Sequence, residues 1–167
     1  MKFNLLKCTV MMIAALASVV AFTPGRAAAQ WSQAPSTSAF SIPTSAQMQP
    51  EELNRLLLTA KGAEKPLVLQ VGSQVLFAQA HITGSEFAGP GAQLEGLDRL
   101  KARVKALPKT TLIVIYCGCC PWNRCPNMGP AYKQLIDMGF TRVKALYMAN
   151  NLGTDWAQKG YPVAAGE

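Results

Sequence analysis

The chain has 167 residues, of which 50% are apolar and 15% charged, and a formal net charge of +7. That length corresponds to about one domain, and the apolar share is enough for a core of ordinary size. The basic residues form no patch with interleaved aromatics, which argues against a nucleic-acid binder.

The first 29 residues carry part of the apolar bias. "MKFNLLK" holds Lys2 and Lys7, "CTVMMIAALASVVAF" is an unbroken low-polarity run, and "TPGRAAAQ" supplies small residues, with Ala27 and Ala29 placed for a cut after Ala29. Charge, apolar core and Ala-x-Ala in that order predict a secretory signal peptide over residues 1–29. The apolar run is shorter than the roughly 20 residues of a spanning helix, so no stable membrane association is expected after cleavage. Cys8 lies inside the run and is discarded with it. The mature chain keeps thirteen basic and nine acidic residues, a net charge of +4, which mildly favours small anionic ligands. The expected destination is a secreted, periplasmic one, an oxidising compartment.

Residues 30–47, "QWSQAPSTSAFSIPTSAQ", are rich in Ser, Thr, Pro, Ala and Gln and carry no charge, which predicts a flexible linker. The domain is expected over residues 48–167. "QPEELNRLLLTAKG" sets Pro50 and two acids in a first turn, an apolar stripe at Leu53, Leu56 and Leu57, and Gly62 as a stop, the signals of a helix. "PLVLQV" is an apolar run of strand length. "SQVLFAQA" predicts a short helix capped by Ser73, and "HITGSEFAGPG" a loop with a brief strand. "EGLDRLKARVKAL" spaces Leu97, Leu100, Val104 and Leu107 as a helix does. "TLIVIY", residues 111–116, is β-branched and apolar throughout, as in a strand of a parallel sheet buried on both faces. "MGPAYKQLIDMGF" predicts a helix ended by Gly139, "RVKALYM" a strand, and "GTDWAQKGYP" a short helix and turn. No internal repeat is visible. Alternating helices and strands predict an α/β fold, a single domain with a mostly parallel central sheet flanked by helices.

Between the surest strand and its following helix lies "YCGCCPWNRCPN", which places Cys117, Cys119, Cys120 and Cys125 within nine residues. Ligands of such folds sit outside the carboxyl ends of the strands, where this loop begins. A disulfide framework would spread its cysteines to close longer loops, so the clustering favours chemistry. Loop N–H groups and the dipole of the following helix make an anion site that lowers a thiol pKa, and Arg124 adds positive charge for a thiolate or an anionic substrate. This arrangement activates a nucleophilic Cys117 without a histidine base.

"QPEELNRLL", "PLVLQV", "AHITGS", "TLIVIYC", a loop with Arg, "LIDMGF", "VKALYM" and "DWAQKGYPV", in this order, resemble a rhodanese-like domain over residues 48–163. The "CGCCP…CPN" loop marks a divergent, secreted subgroup. The resemblance implies a sulfurtransferase that carries sulfane sulfur as a cysteine persulfide. Its partners would be a small donor of the thiosulfate or persulfide class and a thiol acceptor, with a periplasmic redox partner compatible with the same reading and no cofactor or metal required. By resemblance Cys117, directly after the strand, is the nucleophile, and Arg124 orients the donor. Backbone N–H groups from Gly118 to Arg124 cradle the persulfide, with Gly118, Trp122 and Asn123 forming the substrate loop. The usual spacing of four residues between cysteine and Arg fits Cys119 instead. Gln70, Val71 and Gly72 stand where the family often has Asp-x-Arg.

Cys120 and Cys125 are auxiliary thiols that resolve, protect or tune the nucleophile. Three other readings stay open: disulfides joining Cys125 to an earlier cysteine, with thiol–disulfide or persulfide-reductase chemistry; a Zn or Cu(I) site; and a non-catalytic redox-binding domain. His81, the lone histidine, reads as a structural hydrogen-bonding residue, Trp122 as a loop wall, Tyr116, Trp156 and Tyr161 as core and closing turn, and Asn127 as a helix cap. Pro121 and Pro126 stiffen the loop.

Overall fold

The computed structural model describes residues 41–166. The segment expected to be cleaved and residues 30–40 of the expected linker lie outside them. Among the described residues no helix is long and apolar enough to cross a membrane.

Among the described residues, seven strands and five helices follow in the order β1 (Gln47–Met48), α1 (Pro50–Thr59), β2 (Leu67–Gln70), α2 (Gln74–Gln79), β3 (His81–Ile82), β4 (Glu86–Phe87), α3 (Leu94–Val104), β5 (Ile113–Tyr116), α4 (Met128–Asp137), β6 (Val143–Leu146), α5 (Leu152–Asp155) and β7 (Val163–Ala164). Five strands form one sheet in the order β1-β6-β5-β2-β4, every neighbouring pair parallel. β3 and β7 form a separate antiparallel pair.

The central strand β5 is buried along its whole length. Its side chains alternate, as a strand requires. Ile113 and Ile115 enter a core with Leu100 and Val104 of α3 and Ala131 and Leu135 of α4, whereas Val114 and Tyr116 enter a second core with Leu53 of α1, Leu152 and Trp156. Cys117 continues the first series and so points to the α3–α4 side. This is the two-faced burial expected of an apolar, β-branched run in a parallel sheet.

Three expectations need correction. The folded part reaches back into the 30–47 segment: Ile42 and Ala46 are buried, and Gln47 pairs with Ala145. Backbone pairing along a sheet edge leaves no mark in composition. Ser73 occupies the N-cap position of α2, but its side chain makes no capping bond. Asn127 likewise sits at the N-cap of α4 without capping it, because its side chain is engaged elsewhere.

Candidate active site

β5 ends at Tyr116, and the chain leaves the sheet through Gly118, whose φ of +75° is a left-handed conformation that favours glycine. The Gly118 carbonyl accepts from the N–H of Leu152, which ties the loop to α5. A 3₁₀ turn, Trp122–Arg124, then brings the chain round to Cys125 and α4. Pro121 precedes that turn and its carbonyl accepts from the Arg124 N–H.

This path folds the four sulfurs onto one another, all within 4.8 Å. Cys117 Sγ lies 3.0 Å from Cys119 Sγ, and Cys119 Sγ lies 3.2 Å from Cys120 Sγ. All four are free thiols, Cys117 buried and the others half-buried. A small cleft beside them is lined by Cys117, Gly118, Cys120, Trp122, Cys125, Met128, Leu146 and Met148. Trp122 is a wall of that cleft, packed at 5.3 Å against Tyr147.

The electrostatics separate the cysteines. The Cys125 thiol is held down to about 6, first by the hydrogen bond from Cys117 and then, against opposing burial, by the backbone N–H groups of Asn127 and Met128 at the start of α4. That shared hydrogen bond, together with burial, pushes the Cys117 thiol far up. Burial and the bond with Cys119 push Cys120 up to about 12. The N–H groups at the start of α4 thus favour the anion on Cys125, where the sequence reading placed it on Cys117.

The expected cradle from Gly118 to Arg124 is also different. The N–H groups of Trp122 and Arg124 are spent on Met148 and Pro121 carbonyls. Arg124 is exposed, and its side chain makes no hydrogen bond to a loop sulfur among the described residues. Asn123 is exposed in the 3₁₀ turn and lies outside the cleft.

Gln70 of β2 and Asn127 at the end of the loop hold it. Gln70 Nε2 donates to the Cys117 carbonyl at 3.1 Å while its Oε1 accepts from the Gly72 N–H at 3.1 Å. Asn127 Nδ2 donates to Cys117 Sγ at 3.3 Å and its Oδ1 accepts from the Ala92 N–H at 3.0 Å. The only sequence signal for Gln70 is a polar residue ending an apolar strand. His81 is buried, stacked on Phe77 and bonded through Nδ1 to the Phe77 carbonyl at 2.9 Å, a structural residue away from the cysteines. The Tyr116 hydroxyl is bonded to Ser85 at 2.9 Å and accepts from the Ile82 N–H at 3.1 Å, so this core residue also anchors the opposite face.

No family model and no curated protein matches the sequence. Solved structures do. The rhodanese-like domain of the Anabaena sp. Alr3790 protein is 20% identical over 72% of this chain and 79% of that one, with a TM-score of 0.53. This chain has the rhodanese-like fold. A crystal structure of the Alr3790 protein gives 21% identity over 71% of this chain and 92% of that one, with a TM-score of 0.54. The BH2092 protein of Bacillus halodurans gives 21% identity over 72% and 77%, with a TM-score of 0.56. At these identities the likeness establishes the fold, and the chemistry rests on this chain's own loop.

Proposed function

We propose that this rhodanese-like chain is a secreted sulfurtransferase that moves sulfane sulfur through a cysteine persulfide. Cys125 is the attacking sulfur and Cys117 its proton partner. The observation that carries the reading is the position of Cys125 Sγ. It follows the 3₁₀ turn three residues ahead of α4 and lines the cleft, where Cys117 and the Asn127 and Met128 N–H groups favour its anion. Its anion is better supported than that of Cys117 or Cys120, and it is less buried than Cys117.

The Cys125 sulfur attacks the outer sulfur of a thiosulfate or persulfide donor. An S–S bond forms to Cys125, the donor's S–S bond breaks, and its electron pair leaves with sulfite or a thiolate. An acceptor thiolate then attacks the outer sulfur of the Cys125 persulfide, and the Cys125 sulfur departs with the electron pair, restoring the starting state. Arg124, exposed one residue before Cys125, supplies positive charge for an anionic donor.

The crowding of the other sulfurs favours a second reading. A neighbouring thiol that attacks the inner sulfur of the persulfide releases sulfide and leaves a disulfide, which a dithiol reductant of the same compartment reopens. All four sulfurs, Cys125 included, lie within 4.8 Å of one another, which supports such resolution. The test is sulfite release from thiosulfate by purified reduced protein, with cyanide or a monothiol as acceptor. Turnover with either acceptor supports sulfur transfer. Sulfide production that requires a dithiol supports the second reading. A protein that releases neither product from thiosulfate or a persulfide overturns both.

A further inference from the structure

We propose that the four-thiol cluster is also a binding site for a soft monovalent metal ion, Cu(I). The inference does not depend on sulfur transfer, although it uses the same sulfurs.

Spacing comes first. Ligand sulfurs about 2.3 Å from one tetrahedral ion stand about 3.8 Å apart. The four thiols already lie within 4.8 Å of one another, with contacts down to 3.0 Å, so they are gathered at the scale of a single coordination sphere. Residues consecutive or nearly so in a loop reach this spacing because the left-handed Gly118 and the 3₁₀ turn Trp122–Arg124 fold the loop back on itself.

Donor type comes second. The cleft beside the thiols is lined by Met128 and Met148 as well as Cys117, Cys120 and Cys125, and by no imidazole or carboxylate. An all-sulfur environment of thiols and thioethers selects Cu(I) over metals that prefer nitrogen or oxygen. Two or three thiolates satisfy Cu(I), so Cys117, Cys125 and one of the adjacent pair Cys119 and Cys120 suffice.

Access and support complete the site. Three of the sulfurs are half-buried, which admits an ion, and Cys117 is buried, which shields it from water. The Asn127 Nδ2 bond to Cys117 Sγ is the kind of outer contact that orients a ligand and offsets its charge. Binding displaces thiol protons and moves no electrons. An occupied site has no free Cys125 sulfur, so copper and sulfane sulfur exclude one another.

The experiment is anaerobic titration of the reduced full chain with Cu(I) against the chelator bathocuproine disulfonate, read by native mass spectrometry and by X-ray absorption at the copper edge. One Cu(I) per chain with a sulfur-only shell is expected, with binding lost when Cys117 and Cys125 are both replaced by Ser and circular dichroism confirming that the variant is folded. Met148→Leu keeps every thiol and should weaken Cu(I) retention by about tenfold, in the range of outer-shell effects. Complete loss of Cu(I) to the chelator, a nitrogen or oxygen shell, or preferential retention of Zn(II) from an equimolar mixture overturns the proposal. Thiosulfate loading of the metal-free protein is scored separately. Sulfur uptake without copper binding defeats only this inference, and copper binding without sulfur uptake defeats only the sulfurtransferase reading.

Discussion

Asn127 joins the cysteine loop to the segment after β4: one amide donates to Cys117 Sγ at 3.3 Å and accepts from the Ala92 N–H at 3.0 Å. Asn127→Ala removes the buried bond to Cys117 Sγ and the part-buried bond from Ala92, and should cost about 0.5–1.5 kcal/mol for each in urea unfolding. Asn127→Asp retains an acceptor for Ala92 but replaces the donor facing the sulfurs with a second negative charge. It should slow persulfide formation more than the Ala variant does. Equal rates in both variants would show that Asn127 acts only on the fold.

Gly72 is fixed by crowding. A Cβ there would lie 2.8 Å from Gln70 Nε2, 2.9 Å from the Cys117 carbonyl and 3.0 Å from Cys117 Sγ. Gly72→Ala should break the Gln70 bond to the Cys117 carbonyl and destabilise by about 1–3 kcal/mol, as overpacking does. It should also displace Cys117, seen as faster alkylation of that residue by peptide mass mapping. An unchanged alkylation pattern would mean that the strand end yields without moving the thiol.

Arg124 is exposed and carries no packing role. Arg124→Gln should leave the unfolding midpoint unchanged. An exposed charge contact is worth up to about 1 kcal/mol, so the KM for thiosulfate should rise up to about fivefold, with kcat preserved. An uncharged persulfide donor should show no change. A matching loss with both donors would assign Arg124 to positioning the loop.

Glu86 and Arg103 form a two-pronged ion pair, at 2.5 Å and 2.8 Å, that fastens β4 to α3. The hydrogen bond from Arg103 holds the Glu86 carboxyl below its ordinary value despite partial burial. A carboxyl lowered in the folded state contributes stability above its unfolded pKa and loses it as pH falls through the folded one. Both side chains are more than a third exposed, so solvent screening keeps the contribution to a few tenths of a kcal/mol, roughly. Glu86→Gln should flatten the acid limb of the stability curve and leave neutral stability nearly unchanged. A parallel shift of the whole curve would contradict this.

The central strand and the cysteine loop were legible because both depend on local pattern. A run as uniformly apolar and β-branched as residues 111–116 has one economical place, between two helical layers, and the following loop then falls at a carboxyl edge. Which sulfur comes nearest the start of α4 was not legible. It depends on how far the 3₁₀ turn carries Cys125 toward the first N–H groups of α4, and spacing from the strand pointed to Cys117 instead. The role of Asn127 was hidden for a related reason. Its position promised a helix cap, but its partners are 35 and 10 residues away along the chain. The two-residue strands β1, β3 and β7 are too short to show a period.

The most direct measurement is intact mass spectrometry of reduced protein before and after thiosulfate, for the parent chain and for Cys125→Ser, Cys117→Ser and Cys119→Ser, each checked by circular dichroism. The expected result is a gain of one sulfur atom that Cys125→Ser abolishes, that Cys117→Ser slows and that Cys119→Ser retains. A gain that survives in Cys125→Ser and disappears in Cys117→Ser would contradict it, and would return the sulfur carrier to the residue at the end of the central strand.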